Sequence, residues 1–327
     1  MIVLSTIFLS SAEYICRIKG IHSWKINKAN ITVIPGGKFF TPHATLGYTH
    51  LPGQFKVRLA DGYSFLVTHS KNTLRVTHHS KTELMQTTKP TIWVLGCSFT
   101  HGWSLNDQET YSWMLQERLP SYDIVNFGVS GYGTLHALIQ FQEALLKYSP
   151  PKVAIIAYAS FHDQRNTFLR TRRKSIVGWN HLGSLNQPYA KLRGRHLQIA
   201  IDAVEYRPFP FMQYSAFSHF LEQQYNRIEA RLYDSVLVTK AIIAEFAIVA
   251  KEHDVQLIVA GITSDVATNN MIEYAKSLNI LTGDISVDLK IDGNRNLPHD
   301  GHPSARANKQ YAEKVFDLLD KSRIVQY

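Results

Sequence analysis

Hydrophobic and polar positions along this chain fall into two rhythms. From about residue 20 to 88 they alternate one by one in short runs: Ile31-Thr32-Val33-Ile34 stops at Pro35-Gly36-Gly37, and Phe55-Lys56-Val57-Arg58-Leu59 stops at Ala60-Asp61-Gly62. A period of two is that of a half-buried strand, and Asp-Gly between two such runs favours a hairpin. Residues 1–88 therefore read as a small β-rich module with a short apolar N-terminus. After Lys89-Pro90 the apolar residues form continuous runs at 92–96, 123–127, 153–159 and 255–261, as expected of strands covered on both faces.

Helical spacing fills the intervals. Leu135, Leu138, Phe141 and Leu145 recur along 134–148, Ala307, Tyr311, Val315 and Leu319 along 305–319, and the run 217–252 is helical as well. Strands alternating with helices predict βαβ units and a parallel sheet, so 89–327 reads as an α/β domain. The stretch 163–214 keeps neither rhythm and reads as an insertion.

The apolar N-terminus, Ile2 to Leu9, is far shorter than the ~20 residues that span a bilayer. It also lacks the basic residues that precede a signal-peptide core, which leaves a docking helix or a shortened anchor. No other segment reads as transmembrane. A soluble domain is expected, and the pattern does not choose between cytoplasm and cell envelope.

Composition adds three constraints. The 327 residues are 45% apolar, enough for a packed core, and two cysteines, Cys16 and Cys97, exclude a disulfide framework. The formal charge of +9 is concentrated locally, with Arg165, Arg170, Arg172, Arg173, Lys174, Lys191, Arg193, Arg195 and Arg207 in one acid-poor stretch. That stretch is either a solvated face or a docking surface for an anionic polymer; nucleic acid is the least expected partner, since no reader motif accompanies it. The 15 histidines show no metal-ligand spacing, so neither metal nor cofactor is expected.

The residues able to do chemistry sit where the predicted strands end. In an open α/β sheet that is where ligands bind. Ser98 follows the first parallel strand within Gly96-Cys97-Ser98-Phe99-Thr100-His101-Gly102; Asn126 to Gly133 follows the second; Ser160 to Asn166 follows the third; Asp300-Gly301-His302-Pro303 precedes the last helix. Ser98 alone could equally cap the next helix. Gly131 could be a plain turn glycine, His302 a surface residue, and Trp103, Tyr132, Phe161 and Trp179 either a cleft lining or core. His101 reads as a polar rim residue.

Taken in order, these blocks resemble the SGNH, or GDSL-type, serine hydrolase superfamily over about 90–320, with cysteine at position 97 where that family usually has aspartate. The resemblance implies a flavodoxin-like three-layer α/β/α sandwich and hydrolysis of a carboxylic ester through an acyl-enzyme. It makes Ser98 the nucleophile, His302 the base and Asp300 the residue that orients it. The family more often has two residues between acid and histidine, and here only Gly301 intervenes; a dyad with His302 oriented by a backbone carbonyl is the alternative. The backbone N–H groups of Ser98 and Gly131 would serve the oxyanion hole. The family's third donor is an asparagine after the third strand, where this chain offers His162 or, four residues on, Asn166. With the β module and the basic insertion, the expected substrate is an ester or O-acetyl group on a glycan. An O-acyltransferase using the same serine and a non-catalytic anionic-glycan-binding protein are the alternatives.

Overall fold

In a computed structural model the protein is described over residues 2–27, 30–78, 88–179, 186–194 and 196–325. Helix α1 (Ile2–Ile18) leads into five short antiparallel strands: β1 (Thr32–Ile34), β2 (Phe40–His43), β3 (Gly47–His50), β4 (Gly53–Arg58) and β5 (Ser64–His69). Strands β1, β4 and β5 make one sheet and β2 with β3 another. The expected hairpin at Asp61-Gly62 joins β4 to β5, and Asp61 Oδ1 accepts from the Tyr63 N–H across it.

The second rhythm builds the α/β part. Its elements are β6 (Thr91–Leu95), α2 (Ser98–His101), α3 (Tyr111–Arg118), β7 (Asp123–Asn126), α4 (Thr134–Leu145), β8 (Val153–Tyr158), α5 (His162–Thr167) and α6 (Arg170–Ile176). A hairpin of β9 (Asn186–Arg193) and β10 (His196–Ala203) follows, then α7 (Ala216–Leu232), α8 (Ser235–Glu252), β11 (Gln256–Gly261), α9 (Val266–Ser277), β12 (Leu281–Asp284) and α10 (Ala305–Lys321). The helical run 217–252 is thus two helices, broken where Asp234 caps α8 by accepting from the Val236 and Leu237 N–H groups.

Five strands form a parallel sheet in the order β12-β11-β8-β6-β7. Alternate side chains of each strand enter opposite cores. Trp93, Leu95, Ala154, Ile156, Leu257 and Val259 pack against α4, α8 and α9, while Ile92, Val94, Ile155, Ala157, Ile258 and Ala260 pack against α3 and α10. Burial on both faces is why the strands read as unbroken apolar runs. The sequence pattern did not reveal β12: Leu281-Thr282-Gly283-Asp284 is an edge strand that is only partly covered.

The β module and the α/β part share a third core. Phe39, Phe40, Tyr48, Phe65 and Val67 pack there with Trp103, Val129 and Tyr132, so the module lies against the loops after β6 and β7. Arg75 bridges β5's end to Asn126 at the end of β7. Among the described residues no helix is long and apolar enough to cross a membrane.

Much of the basic stretch is tied down rather than displayed. Glu222 of α7, wholly buried, faces Lys174, Arg170 at 3.3 Å and the Tyr206 hydroxyl at 2.5 Å; Asp202 holds Arg173 at 2.7 Å. Arg195 lies outside the described residues.

Candidate active site

The order of the parallel sheet reverses beside β6, since β7 lies on one side and β8 on the other. The loops leaving β6 and β8 therefore diverge to opposite faces and open a crevice at their carboxyl ends. Ser98 stands at that crevice as the first residue of α2. Cys97 is the helix cap and Ser98 is not, so its hydroxyl is not consumed by capping.

Ser98 Oγ lies 3.0 Å from Nε2 of His302. Behind the imidazole, Nδ1 faces Oδ1 of Asp300 in a short contact, and the same oxygen accepts the His302 backbone N–H at 2.7 Å. The single intervening residue, Gly301, makes this possible: the carboxylate turns back on its own loop and meets the histidine through both main chain and ring. Trp103 Nε1 donates to the other oxygen, Oδ2, at 3.1 Å. Burial alone would raise the Asp300 carboxyl, but the hydrogen bonds from His302 and Trp103 and the charge of the imidazole outweigh it and hold the group below its usual value. The loop itself is pinned by the Asn296 N–H to His302 carbonyl bond, 2.9 Å, and by the Asp300 N–H to Asn296 carbonyl bond, 2.9 Å.

The loop after β7 packs on α2. Asn126 Nδ2 donates to the Thr100 carbonyl at 2.8 Å, and its Oδ1 accepts from the Gly128 N–H at 2.8 Å. At Gly128 a Cβ would lie 2.4 Å from the His101 nitrogen, so only glycine lets the loop approach this closely. Three successive carbonyls of the loop are then held from outside. Tyr48 Oη donates to Ser130 O at 2.6 Å, Arg172 Nη2 to Gly131 O at 2.7 Å, and Arg165 Nη1 to Tyr132 O at 2.7 Å. Gly131 has φ +90°, and among the described residues neither its N–H nor that of Ser98 donates to a backbone carbonyl.

Ser98, Gly131 and His302 line one cavity of about 250 Å³, walled by Ile31, Phe40, Trp103 and Trp179, with Ser130 and Arg165 as further polar residues. Trp103 and Trp179 thus belong to the cleft, whereas Tyr132 is wholly buried core.

The two side chains expected to complete an oxyanion hole are elsewhere. Asn166 is fully buried and committed, its Oδ1 accepting from Leu135 N–H at 2.9 Å and its Nδ2 donating to Thr239 Oγ1 at 2.8 Å. His162 is buried beneath the glycine loop, with Nδ1 3.4 Å from Thr134 Oγ1. Both belong to the helix after β8 but face into the protein, and Arg165 of the same helix faces the cavity instead. Arg165, Arg172 and Tyr48 were not singled out as site residues from sequence. Arg165 and Arg172 were visible only as charges in a basic stretch, and Tyr48 carries no local signal.

His101 does not lie where its sequence position suggested. It is wholly buried rather than on the rim, its Nε2 3.1 Å from Nε2 of His69, whose ring stacks on His50 at 3.9 Å and 9°. Each of these three histidines brings one ring nitrogen within 4.8 Å of the others. The set does not converge on an ion as it stands: imidazole lone pairs lie in the ring plane, and the planes of His50 and His69 are nearly parallel. Burial first, then the neighbouring His50 and after it the charge of Arg75, keep His69 and His101 well below the usual histidine range. These are the groups closest to a metal-ligand set among the described residues, and they form a neutral stack under α2.

No family model matches the chain, and no curated protein matches it. Among solved structures it is similar to a member of the lipolytic protein G-D-S-L family from Veillonella parvula DSM 2008, at 13% identity over 71% of this chain and 98% of that one, TM-score 0.39. An alpha/beta hydrolase enzyme from the metagenome of Lake Arreo, Spain, is similar at 12% identity over 72% and 98%, TM-score 0.41. A family two carbohydrate esterase from Clostridium thermocellum is similar at 13% over 72% and 65%, TM-score 0.35. Likeness at this level carries no argument about activity, which must come from the site.

Proposed function

We propose that the chain is a serine ester hydrolase of the SGNH type, on a flavodoxin-like sheet, with Ser98, His302 and Asp300 as its triad. One observation carries the reading: Ser98 Oγ, His302 Nε2, His302 Nδ1 and Asp300 Oδ1 stand in unbroken hydrogen-bonding sequence at the cavity wall. His302 Nε2 takes the Ser98 proton as Oγ attacks the ester carbonyl, and Asp300 stabilises the imidazolium that results. The N–H groups of Ser98 and Gly131 receive the oxyanion. His302 then gives its proton to the leaving alcohol, and a water activated by the same nitrogen hydrolyses the acyl-enzyme. The small aromatic cavity suits a short acyl group, and the proposed substrate is an ester or O-acetyl group on a glycan.

A screen of acetylated glycans and short acyl esters tests this. Wild-type protein should release free acid and Ser98→Ala should not. Transfer to a sugar acceptor in excess of hydrolysis would reassign the chain as an acyltransferase. Retained binding of an acidic glycan with no turnover would make it a binding protein.

A further inference from the structure

Within the basic stretch three cations outside the cavity have acidic partners, Glu222 for Arg170 and Lys174 and Asp202 for Arg173. The two at the cavity do not. Among the described residues neither Arg165 nor Arg172 has a carboxylate at ion-pair distance, and what they hold instead are neutral carbonyls of the glycine loop.

Arg172 is buried, its guanidinium 5.2 Å from the ring of Trp179, a residue of the cavity wall. Burial first and then the like charge of Arg165 push it down to about 9. Arg165 is half-buried at the wall itself, 4.4 Å over the Phe161 ring, with one nitrogen on Tyr132 O. Ser130 also lines this cavity, but its hydroxyl is buried, with no hydrogen-bond partner among the described residues. Two like charges side by side, poorly solvated and without a counter-ion, cost free energy that a ligand of opposite charge would recover. Arg165's remaining N–H groups form a planar fork of the kind that suits a carboxylate.

Building on the serine-hydrolase reading, we propose that the substrate is an ester carrying a carboxylate beside the scissile bond, and that Arg165 binds that carboxylate in the Ser98 cavity. Arg172 acts behind it as a positioning residue, holding Gly131 and adding positive potential without touching substrate.

The test is a binding comparison in Ser98→Ala, so that it does not depend on turnover. Calorimetry would compare 3-acetoxybenzoate with 3-acetoxybenzamide, which match in shape but exchange the anionic oxygen for an NH2 donor, and phenyl hydrogen succinate with its carboxamide, which moves the anion to the acyl side. The expected result is that at least one carboxylate binds about tenfold or more tightly than its amide. That preference should fall to within about twofold after Arg165→Gln, return in part with Arg165→Lys, and weaken with salt. Equal binding of acid and amide in both pairs would overturn the proposal, as would a preference that survives Arg165→Gln. Equal binding combined with a shared fall in kcat for acid and amide would mark Arg165 as an oxyanion donor and also overturn it. Failure of the hydrolase reading looks different: wild-type Ser98 would resist a fluorophosphonate while the carboxylate preference in Ser98→Ala persisted.

Discussion

Asp300 and His302 meet twice. One carboxylate oxygen takes the backbone N–H of His302 at 2.7 Å and also faces Nδ1 of its ring. The acid therefore fixes both the loop and the orientation of the ring, leaving Nε2 facing Ser98 Oγ at 3.0 Å. The single intervening residue, Gly301, lets one carboxylate oxygen make both contacts.

Asp300→Asn tests whether the contact matters to chemistry. An amide at this position no longer stabilises the imidazolium and favours the wrong tautomer, so kcat should fall by roughly 10³–10⁴-fold with little change in KM. A fall of only a few-fold would mean that His302 works as a dyad base without its acid.

Gly131→Ala probes the oxyanion loop. A Cβ there would stand 2.4 Å from Tyr48 Oη and 2.8 Å from Trp179, on a backbone with φ +90°. Because the loop must shift, kcat should drop by about 10²-fold or more, the scale expected when an oxyanion donor is misplaced. Kinetics on a short acyl ester, with the fold checked by circular dichroism, give the answer.

Stability should fall on acidification. His50 and His136 are pushed down to about 3, chiefly by burial, and His69, His101 and His162 are also held well below the ordinary histidine range, again chiefly by burial. Below about pH 6.5 the unfolded chain takes up protons that the native state refuses, so stability declines as pH drops toward the folded values. At pH 5 each such group costs up to about 2 kcal/mol. Asp163, raised to about 6 by burial, works in the opposite sense over part of that window but is one group against five. Melting temperatures at about pH 7.5 and about pH 5 should differ by about ten degrees or more. A flat profile would contradict the burial of these side chains as neutral imidazoles.

Chelation should leave turnover unchanged. The stacked rings of His50 and His69 direct their lone pairs along nearly parallel planes, and the proposed chemistry runs through Ser98. Dialysis against EDTA followed by an ester assay checks this; loss of activity restored by zinc or cobalt would show that the three histidines rearrange around an ion.

What the sequence displayed and what it hid divide along physical lines. Strands β6, β7, β8 and β11 were legible because both faces are covered and their residues are apolar throughout, while β12, an edge strand with Gly283 and Asp284 among four residues, left no such mark. Ser98, Gly131, Asp300 and His302 were legible because each sits in a short local block at an element boundary. Arg165, Arg172 and Tyr48 reach the site through tertiary contacts, from the segments after β8 and from the β module, and nothing in their immediate neighbours announces it. The position after the third strand was found, but one turn of helix decides which of His162, Arg165 and Asn166 faces the cavity, and that rotation is set by Leu135 and Thr239 holding Asn166 inside.

The central claim, that Ser98 is an activated nucleophile, is tested most directly by mapping the site of a fluorophosphonate adduct on the native protein by peptide mass spectrometry. A single adduct on Ser98 is expected, lost on denaturation before labelling and strongly slowed by Asp300→Asn. A native protein left unmodified at Ser98, or modified there no faster than when denatured, would contradict it.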